Sequence, residues 1–236
     1  MAIQETTDPI IRLPGIPRAT IHDLRTPLTS IRGYAQLLMR GVKSPEQAQR
    51  AYETIYREAD RLARMLDQLS RVAETRLEQA SSRPVRFDLA ECVASAVDAA
   101  RLRWPEHRFG YDSGDVGSIA ADPRRIAETL AVLLDNAAMY SQPGSHVEVA
   151  VERNNGRATV RVQDEGVGIP DDELESIFLC FKRGSNVAQA GSSAARGLGA
   201  GLFLSRATAE AVGGKLWAES AVGAGSTFHL ELPIVD

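Results

Sequence analysis

Glycines form the most prominent group of residues in this sequence that could serve chemistry. Eleven of the 19 glycines lie between Gly166 and Gly225. They fall mainly in three clusters, at residues 164–168, 197–201 and 223–225. Residues 199–212 have helical spacing, so the second cluster would lie at a helix N-terminus, where backbone N–H groups favour a phosphate. Glycine also lets the backbone approach a ligand closely. The clusters indicate a nucleotide site; three unrelated turns are the alternative.

Two common nucleotide-binding motifs are missing from the sequence. There is no G-x-x-x-x-G-K-[ST] run of the P-loop type. There is also no strand-G-x-G-x-x-G-helix unit, which would indicate a dinucleotide site. A nucleotide site in this chain is therefore of another type.

His22 is the second feature with chemical potential. Apolar residues recur after it at steps of three and four, which predicts a helix with one apolar stripe. The stripe contains Leu24, Leu28, Ile31, Ala35 and Leu38. At about 100° per residue, His22 points about 160° away from that stripe, and Thr26 shares its outer face. His22 is thus predicted to face solvent, and Pro27 predicts a local bend nearby.

Residues 18–80 have the pattern of two helices. Gly41 and Pro45 mark a short connection between them. The second apolar pattern continues for about 35 residues, or about 50 Å at 1.5 Å per residue. Such a hairpin has too little chain to cover its own apolar stripe. Pairing with a second copy into a four-helix bundle would bury it; packing of the hairpin on the rest of the chain is the alternative.

The pattern changes at residues 81–84, which contain two serines and a proline. Beyond them, residues 91–103 and 123–140 are predicted helices, with Asp122 and Pro123 as a typical start of the second. Alternating valines around Asn154-Asn155-Gly156 predict a β-hairpin, and residues 215–220 and 227–232 are further strand candidates. This mixture predicts an α+β chain. Its predicted parts are an N-terminal segment (1–17), a helical domain (18–80), a linker (81–87) and an α/β sandwich (88–236).

Composition limits the classes of function. The net charge is −4, with 44% hydrophobic and 25% charged residues, as in ordinary globular proteins. No basic patch predicts nucleic-acid binding, and no apolar run is long enough to predict a membrane segment. Cys92 and Cys180 are far apart, so neither a disulfide framework nor a metal site is expected. We expect a cytoplasmic chain, either as written or cut from a longer membrane protein.

Five kinds of segment, in order, resemble the motifs of the histidine kinase family. They are His22–Thr29 (H-box), Asp135–Ser141 (N-box), Asp164–Ile169 (first glycine box), Ile177–Phe181 (F-box) and the clusters at 197–201 and 223–228 (remaining glycine boxes). The resemblance extends from about Ala19 to Pro233. Each box alone is a weaker signal than the set in this order.

The resemblance implies the core of a two-component sensor histidine kinase. A dimerisation and phosphotransfer domain would form a homodimeric four-helix bundle. An ATP-binding domain of the type shared with gyrase and mismatch-repair ATPases would follow, with a mixed, largely antiparallel sheet. The implied reaction is autophosphorylation of His22 from ATP and Mg²⁺, then transfer to an aspartate of a response regulator receiver domain. The chain would be cytoplasmic, or the cytoplasmic core of a longer membrane sensor.

Roles for three H-box residues follow from the resemblance. Nε2 of His22 would attack the γ-phosphorus, and Asp23 would accept or orient the imidazole proton. Thr26 would help to place water when the regulator is dephosphorylated. The alternatives are a carboxylate favoured by the helix dipole for Asp23 and a backbone preference before proline for Thr26.

In the ATP-binding domain, the resemblance makes Asn136 the Mg²⁺ ligand and Asp164 the acceptor for the adenine amino group. Tyr140 and Ile169 would line the adenine pocket, although core packing would also explain them. The other implied nucleotide-binding positions are Gly166, Gly168, Arg183, Gly197, Gly199, Gly201 and Thr227. Residues 182–199 are predicted to form a lid over the phosphates; a solvated surface position is the alternative for Arg183.

Two positions depart from the family's pattern. The family usually has asparagine four residues before Asn136 and lysine three residues after it; here they are Val132 and Met139. Loss of a cation beside a triphosphate removes a contact of about 1.5–3 kcal/mol, so weaker ATP binding or slower turnover is expected. Two other functions fit the fold: a phosphotransfer or scaffold protein whose His22 is phosphorylated by another kinase, and an ATPase clamp, which would not need the H-box.

Overall fold

The structure is a computed structural model that describes residues 18–42, 44–77, 84–114, 116–182, 184–185 and 198–235. Two compact units divide the chain within its second helix, between Arg64 and Met65. Within the described ranges, every helix is too short or too polar to cross a lipid bilayer.

The first unit contains α1 (Arg18–Met39) and the first part of α2 (Pro45–Leu77). The two helices and their short connection confirm the predicted helical hairpin. α1 continues through Pro27 without interruption, so the missing N–H does not end the helix. Pro27 is the tenth residue of α1, so its ring removes one interior backbone N–H from the helical hydrogen bonds, and the helix nevertheless continues to Met39.

Part of the apolar surface of this unit is exposed in the single chain. Leu28 is 55% exposed although it lies in the predicted stripe, and Tyr52 and Tyr56 are 59% and 75% exposed. Tyr52 and Tyr56 are four residues apart and therefore share one face of α2. Adjacent exposed apolar side chains are typical of contact with another molecule. The hairpin does not bury its stripe by itself.

The second unit is a sheet with helices packed on one face. The helices are α3 (Leu89–Arg103), α4 (Pro123–Met139) and α5 (Gly201–Ala211), and the described strands are β1 (Val85–Asp88), β2 (Arg108–Ser113), β3 (Ser118–Ala121), β4 (His146–Asn154), β5 (Arg157–Asp164), β6 (Lys215–Ala221) and β7 (Gly225–Val235). The strand order is β1-β3-β7-β5-β4-β2, with β6 also paired to β7. Only β2 and β4 are parallel among these pairs, which confirms a mixed, largely antiparallel sheet.

The core lies between the helices and one face of the sheet. Alternate residues of the central strands are buried: Val147, Val149 and Val151, then Ala158, Val160 and Val162, then Phe228, Leu230 and Leu232. The helices add Val93, Val97, Ile126, Leu130, Leu133 and Leu134. Burying one such valine, leucine or phenylalanine side chain stabilises the fold by about 1.5–3 kcal/mol. This shared core fixes the ends of β5, β7 and α4 relative to one another.

Local signals set two elements as predicted. Asp122 Oδ1 accepts a hydrogen bond from the Arg124 N–H at 2.9 Å, and Pro123 is the first residue of α4. Asn155 and Gly156 join β4 to β5 with φ angles of 50° and 74°. Positive φ at both turn residues is what a tight two-residue hairpin requires.

Some predicted bounds differ from the structure. The linker predicted at residues 81–87 ends within β1, whose single half-buried residue gives no alternating pattern to recognise. α5 begins at Gly201 rather than Gly199, because Gly199 adopts φ +72°, outside the right-handed helical region. β2 and β3 are not predicted from the sequence, since they are short and β2 buries only Phe109.

Candidate active site

His22 lies in the first turns of α1 and presents its ring to solvent. Its side chain is 80% exposed, and its Nδ1 is 3.7 Å from Oδ1 of Asp23. Thr26 donates its hydroxyl to the His22 carbonyl oxygen at 3.2 Å. The Asp23 carboxylate faces Nδ1 and therefore favours a proton on that nitrogen, which leaves Nε2 with its lone pair on the other side of the ring.

Asp164, the last residue of β5, is a buried carboxylate that is 4% exposed. Its Oδ1 accepts the backbone N–H of Gly166 at 2.8 Å and that of Ser226 at 3.1 Å. Burial raises the pKa of Asp164 to about 6, while the two N–H donors act in the opposite direction. No residue in the described ranges donates to Oδ2. This oxygen is therefore available to a ligand.

The loop after Asp164 is held by contacts with protein backbone. The Val167 N–H donates to the Tyr140 carbonyl oxygen at 3.1 Å. Gly168 adopts φ +70°, and a Cβ there would lie 2.0 Å from the Ala221 carbonyl oxygen. Gly168 is thus required for packing of the loop on the β6–β7 turn, and its nucleotide-binding role stays a prediction.

The predicted adenine-pocket residues come together around this loop. A Cβ on Gly166 would lie 2.6 Å from the Tyr140 carbonyl oxygen and 2.7 Å from Asp164 Oδ1. Ile169 is half-buried and donates its N–H to Ser220 Oγ at 2.8 Å. Tyr140 caps the C-terminus of α4 and is also half-buried. The ends of β5 and α4 therefore meet the glycine loop at the Asp164 carboxylate.

Asn136 lies one turn before Tyr140 on α4 and is half-buried. In the described part of the chain, no group is hydrogen-bonded to its side-chain amide. The neighbouring Asp135 is fully engaged: it accepts from Arg103 Nη1 at 2.6 and 2.7 Å and from Trp104 Nε1 at 2.9 Å. These bonds anchor α4 to the end of α3 and leave the Asn136 amide for a ligand.

The N-terminus of α5 packs against the same face of α4. A Cβ on Gly201 would lie 3.1 Å from Cγ1 of Val132, which is one turn before Asn136. The Gly199 carbonyl oxygen accepts the Phe181 N–H at 2.9 Å. Residues four apart share a helix face, so the free amide of Asn136 lies on the side of α4 that meets the α5 N-terminus. A helix N-terminus favours phosphate.

At the two departures from the family's pattern, the structure shows half-buried side chains. At position 132, valine stands where the family usually has asparagine, and its side chain lies beside Gly201. Met139 lies in the last turn of α4. Arg183 and Gly197, two predicted nucleotide-binding residues, lie outside the described residues, as does most of the predicted lid. Their roles stay predictions.

Thr227 lies on the opposite face of the sheet from Asp164. It pairs with Gln163 of β5, and paired residues share a face while successive residues alternate. Ser226 is buried and donates its N–H to Asp164. The residue of β7 that contacts Asp164 is therefore Ser226, through its backbone N–H, and the nucleotide-binding role of Thr227 stays a prediction. Counting back two residues from Phe228, a buried core residue, is the signal that identifies Ser226.

The described residues contain no group of three or more His, Cys, Asp or Glu side chains placed to hold a metal ion. Asn136 fits Mg²⁺ in a different way, because this hard cation binds amide oxygens together with phosphate oxygens and water. A Mg²⁺ ion held there would depend on a nucleotide for further ligands.

Together, fold and site define a class: a nucleotide-binding α/β sandwich that follows a helical hairpin with an exposed histidine. Residues 121–236 match the family model of histidine kinase-, DNA gyrase B- and HSP90-like ATPases. Residues 19–76 match the model of the His Kinase A phospho-acceptor domain, and His22 is the only histidine in that range. The chain therefore belongs to the histidine kinase family, as the catalytic core of a two-component kinase.

Named relatives agree with this family. Sensor protein SrrB of Staphylococcus aureus (strain N315) is 28% identical over 221 residues, which cover 90% of this chain and 36% of SrrB. The chain thus spans about a third of the length of the curated relatives it matches.

Solved structures show the same architecture. Histidine kinase AdeS of Acinetobacter baumannii has a TM-score of 0.71 at 23% identity, covering 91% of this chain and 98% of AdeS. The mycobacterial sensor histidine kinase MprB has a TM-score of 0.56 at 25% identity, covering 64% and 97%. Histidine kinase ThkA, solved in complex with response regulator protein TrrA, has a TM-score of 0.72 at 21% identity, covering 92% and 60%. AdeS and ThkA show a likeness of fold.

Proposed function

We propose that the chain uses ATP to phosphorylate its own His22 and then passes the phosphoryl group to an aspartate of a response regulator. The observation that carries this proposal is the exposed His22 ring with Nδ1 toward Asp23, inside the range that matches a phospho-acceptor domain. A histidine with a purely structural role would be expected to use its ring nitrogens in packing contacts, as buried polar groups do.

In the proposed reaction, the lone pair of His22 Nε2 attacks the γ-phosphorus of ATP. An N–P bond forms, the bond from the γ-phosphorus to the bridging oxygen breaks, and ADP leaves with that electron pair. Positive charge develops on the ring, and Asp23, 3.7 Å from Nδ1, stabilises it and takes or orients the Nδ1 proton. The aspartate of the regulator then attacks the phosphorus and releases His22.

Asp164 would recognise the adenine base. Its free Oδ2 accepts from the 6-amino group, and Tyr140 and Ile169 flank the ring near the glycine loop. Asn136 would hold Mg²⁺, which supplies positive charge to the phosphate oxygens when bound. The proposed phosphate contacts are the α5 N-terminus with Gly199 and Gly201, and Arg183 and Gly197 of the lid.

We also propose that the first unit pairs with a second copy into a four-helix bundle. The exposed Leu28, Tyr52 and Tyr56 support this, because dimerisation would remove their apolar surface from water. A receiver domain is the proposed partner of the His22 face, as ThkA was solved with a response regulator protein. A cytoplasmic place within a longer sensor is proposed because the curated relatives are longer proteins named as sensors.

Dephosphorylation of the regulator is a further proposed activity. Thr26 is exposed one turn after His22, and its hydroxyl now bonds to a helix carbonyl oxygen at 3.2 Å. Rotation about χ1 would free the hydroxyl to place a water molecule. Thr26→Ala should then slow loss of phosphate from the regulator without slowing labelling of the kinase.

Incubation with γ-labelled ATP and Mg²⁺ tests the kinase proposal. Wild type should acquire an acid-labile label that moves to a receiver domain. His22→Ala should lose the label, whereas His146→Ala, which removes another exposed histidine with a 46% exposed side chain, should keep it. Label retained in His22→Ala would contradict the proposal, and nucleotide binding without any label would favour the scaffold or clamp function.

A further inference from the structure

Asp164 is held by donors from two separate segments. One N–H comes from Gly166 in the glycine loop, and the other comes from Ser226 at the start of β7. Both donors bind Oδ1, so the orientation that presents Oδ2 depends on the two segments keeping their relative position. A shift of either segment would change one of these bonds and with it the orientation of the carboxylate.

Ser220 in β6 bonds to the same two segments. Its Oγ accepts the Ile169 N–H of the loop at 2.8 Å and donates to the Gly225 carbonyl oxygen at 2.7 Å. Its Oγ also lies 3.0 Å from the Ser226 hydroxyl. A Cβ on Gly225 would lie 2.0 Å from the Asp164 carbonyl oxygen, so the segment that Ser220 holds touches the Asp164 backbone.

These three contacts use the full capacity of a serine hydroxyl, which has one donor and two acceptor sites. Ser220 is half-buried, so water reaches this position only in part. Alanine would leave the Ile169 N–H and the Gly225 carbonyl without this partner. Threonine keeps the hydroxyl and suits a β-strand.

We propose that Ser220 is a positioning residue for adenine recognition. Its hydroxyl ties the glycine loop to β7 and so fixes the Asp164 carboxylate toward the 6-amino group of the base, without touching the nucleotide itself. The proposal deepens the proposed function and rests on the ATP site described there.

The test uses two nucleotides that differ in the group that Asp164 recognises. ATP has the 6-amino group, and purine riboside triphosphate lacks it. Kd values for both, with Mg²⁺, and the Tm without nucleotide are measured for the full chain and for Ser220→Ala, Ser220→Thr and Ser95→Ala. Ser95 is an exposed serine of α3 and serves as the matched control.

Ser220→Ala should weaken ATP about tenfold, which corresponds to 1.4 kcal/mol, and purine riboside triphosphate less than about threefold. Ser220→Thr should restore the preference for ATP, and Ser95→Ala should resemble wild type. Equal weakening of both nucleotides, unchanged selectivity in Ser220→Ala, or no rescue by threonine would overturn the role of Ser220.

If Ser220→Ala does not fold, Ser220→Cys keeps the shape with weaker hydrogen bonds, and wild-type selectivity in that variant overturns the proposal. If wild type itself does not distinguish the nucleotides and Asp164→Asn changes neither affinity, the ATP site fails and Ser220 with it. If wild type prefers ATP and Ser220→Ala keeps that preference, only the proposed role of Ser220 is overturned.

Discussion

The two units hold their reactive groups in opposite surroundings. His22 is 80% exposed, with a single acidic neighbour facing its ring, whereas Asp164 is 4% exposed and is held by backbone from two segments. A phosphoacceptor must meet one molecule after another, so exposure suits it. A carboxylate that recognises a base gains strength and selectivity where water is excluded. We therefore expect substitution of His22 to change labelling without changing stability, whereas substitutions around Asp164 should change both ATP binding and stability.

The largest effect is expected at His22. His22→Ala should reduce labelling from ATP by about a thousandfold or more, because it removes the proposed nucleophile. The Tm should change by no more than about 2 °C, since exposed substitutions are usually within about 0.5 kcal/mol. Labelling assays with thermal unfolding check this. A large decrease in Tm would show that His22 also contributes to the stability of the fold.

A pair of glycine substitutions tests the contrast in packing. Gly168→Ala should destabilise the second unit by up to about 3 kcal/mol, because Cβ would lie 2.0 Å from a carbonyl oxygen at φ +70°. Gly33→Ala, in α1 with open space around it, should stabilise by about 1 kcal/mol through helix propensity. Denaturant unfolding of both variants measures the difference. Similar changes in the free energy of unfolding for Gly168→Ala and Gly33→Ala would contradict the expected difference in packing between the two units.

Asp164→Asn should weaken ATP binding by about 10- to 100-fold, because a hydrogen bond to a charged acceptor is lost. Stability at neutral pH should be kept or increased, since the variant removes a carboxylate whose charged form is disfavoured by burial. Calorimetric titration and thermal unfolding check both parts. His22→Ala is the control and should bind ATP as wild type does.

The raised pKa of Asp164 predicts opposite pH responses for stability and binding. The folded state holds this proton more tightly than the unfolded state. The free energy of unfolding contributed by the group therefore falls by about 3 kcal/mol as pH rises from 3.8 to about 6, and is constant above. In the proposed site the adenine amino group donates to the charged carboxylate, so ATP affinity should fall below about pH 6, by up to tenfold per pH unit.

The pH response is measured as ATP affinity between pH 7.5 and 5 in wild type and in Asp164→Asn. The variant should lack the step near pH 6, which separates it from protonation of the phosphates. A step that persists in the variant would assign the effect to another group.

Met139→Lys should give the smallest effect, a gain in ATP affinity of a few-fold. The new cation would lie at the end of α4, where the half-buried Met139 now stands, and such a partly solvated contact is worth less than a buried one. Met139→Leu is the neutral control. Unchanged ATP affinity and labelling rate in Met139→Lys would contradict the expectation that methionine at this position weakens ATP binding or slows turnover.

Local patterns in the sequence were sufficient for elements with their own signals. Asp122 and Pro123 start α4, and Asn155-Gly156 turns between β4 and β5, as expected. The exposure of His22 was also predicted correctly, from the period of the apolar stripe of α1. In each case the deciding residues are neighbours along the chain or form one regular period.

What the sequence did not reveal depends on contacts between distant segments. Ser226 rather than Thr227 meets Asp164 because of the pairing of β7 with β5. β1 and β2 bury too little to show a period. Val132 reads as a missing polar ligand in the sequence, and only the approach of Gly201 reveals its packing role.

α4 spaces three residues of the candidate site at regular intervals along its axis. Val132, Asn136 and Tyr140 follow one another at intervals of about one turn. Val132 lies beside the α5 N-terminus, Asn136 presents its own side-chain amide, and Tyr140 contacts the glycine loop. The distance from first to last is about 12 Å at 1.5 Å per residue. Substitution of one of these three residues changes a single contact. Insertion of one residue between them would rotate the later side chains by about 100° around the helix axis, so they would no longer face the same site.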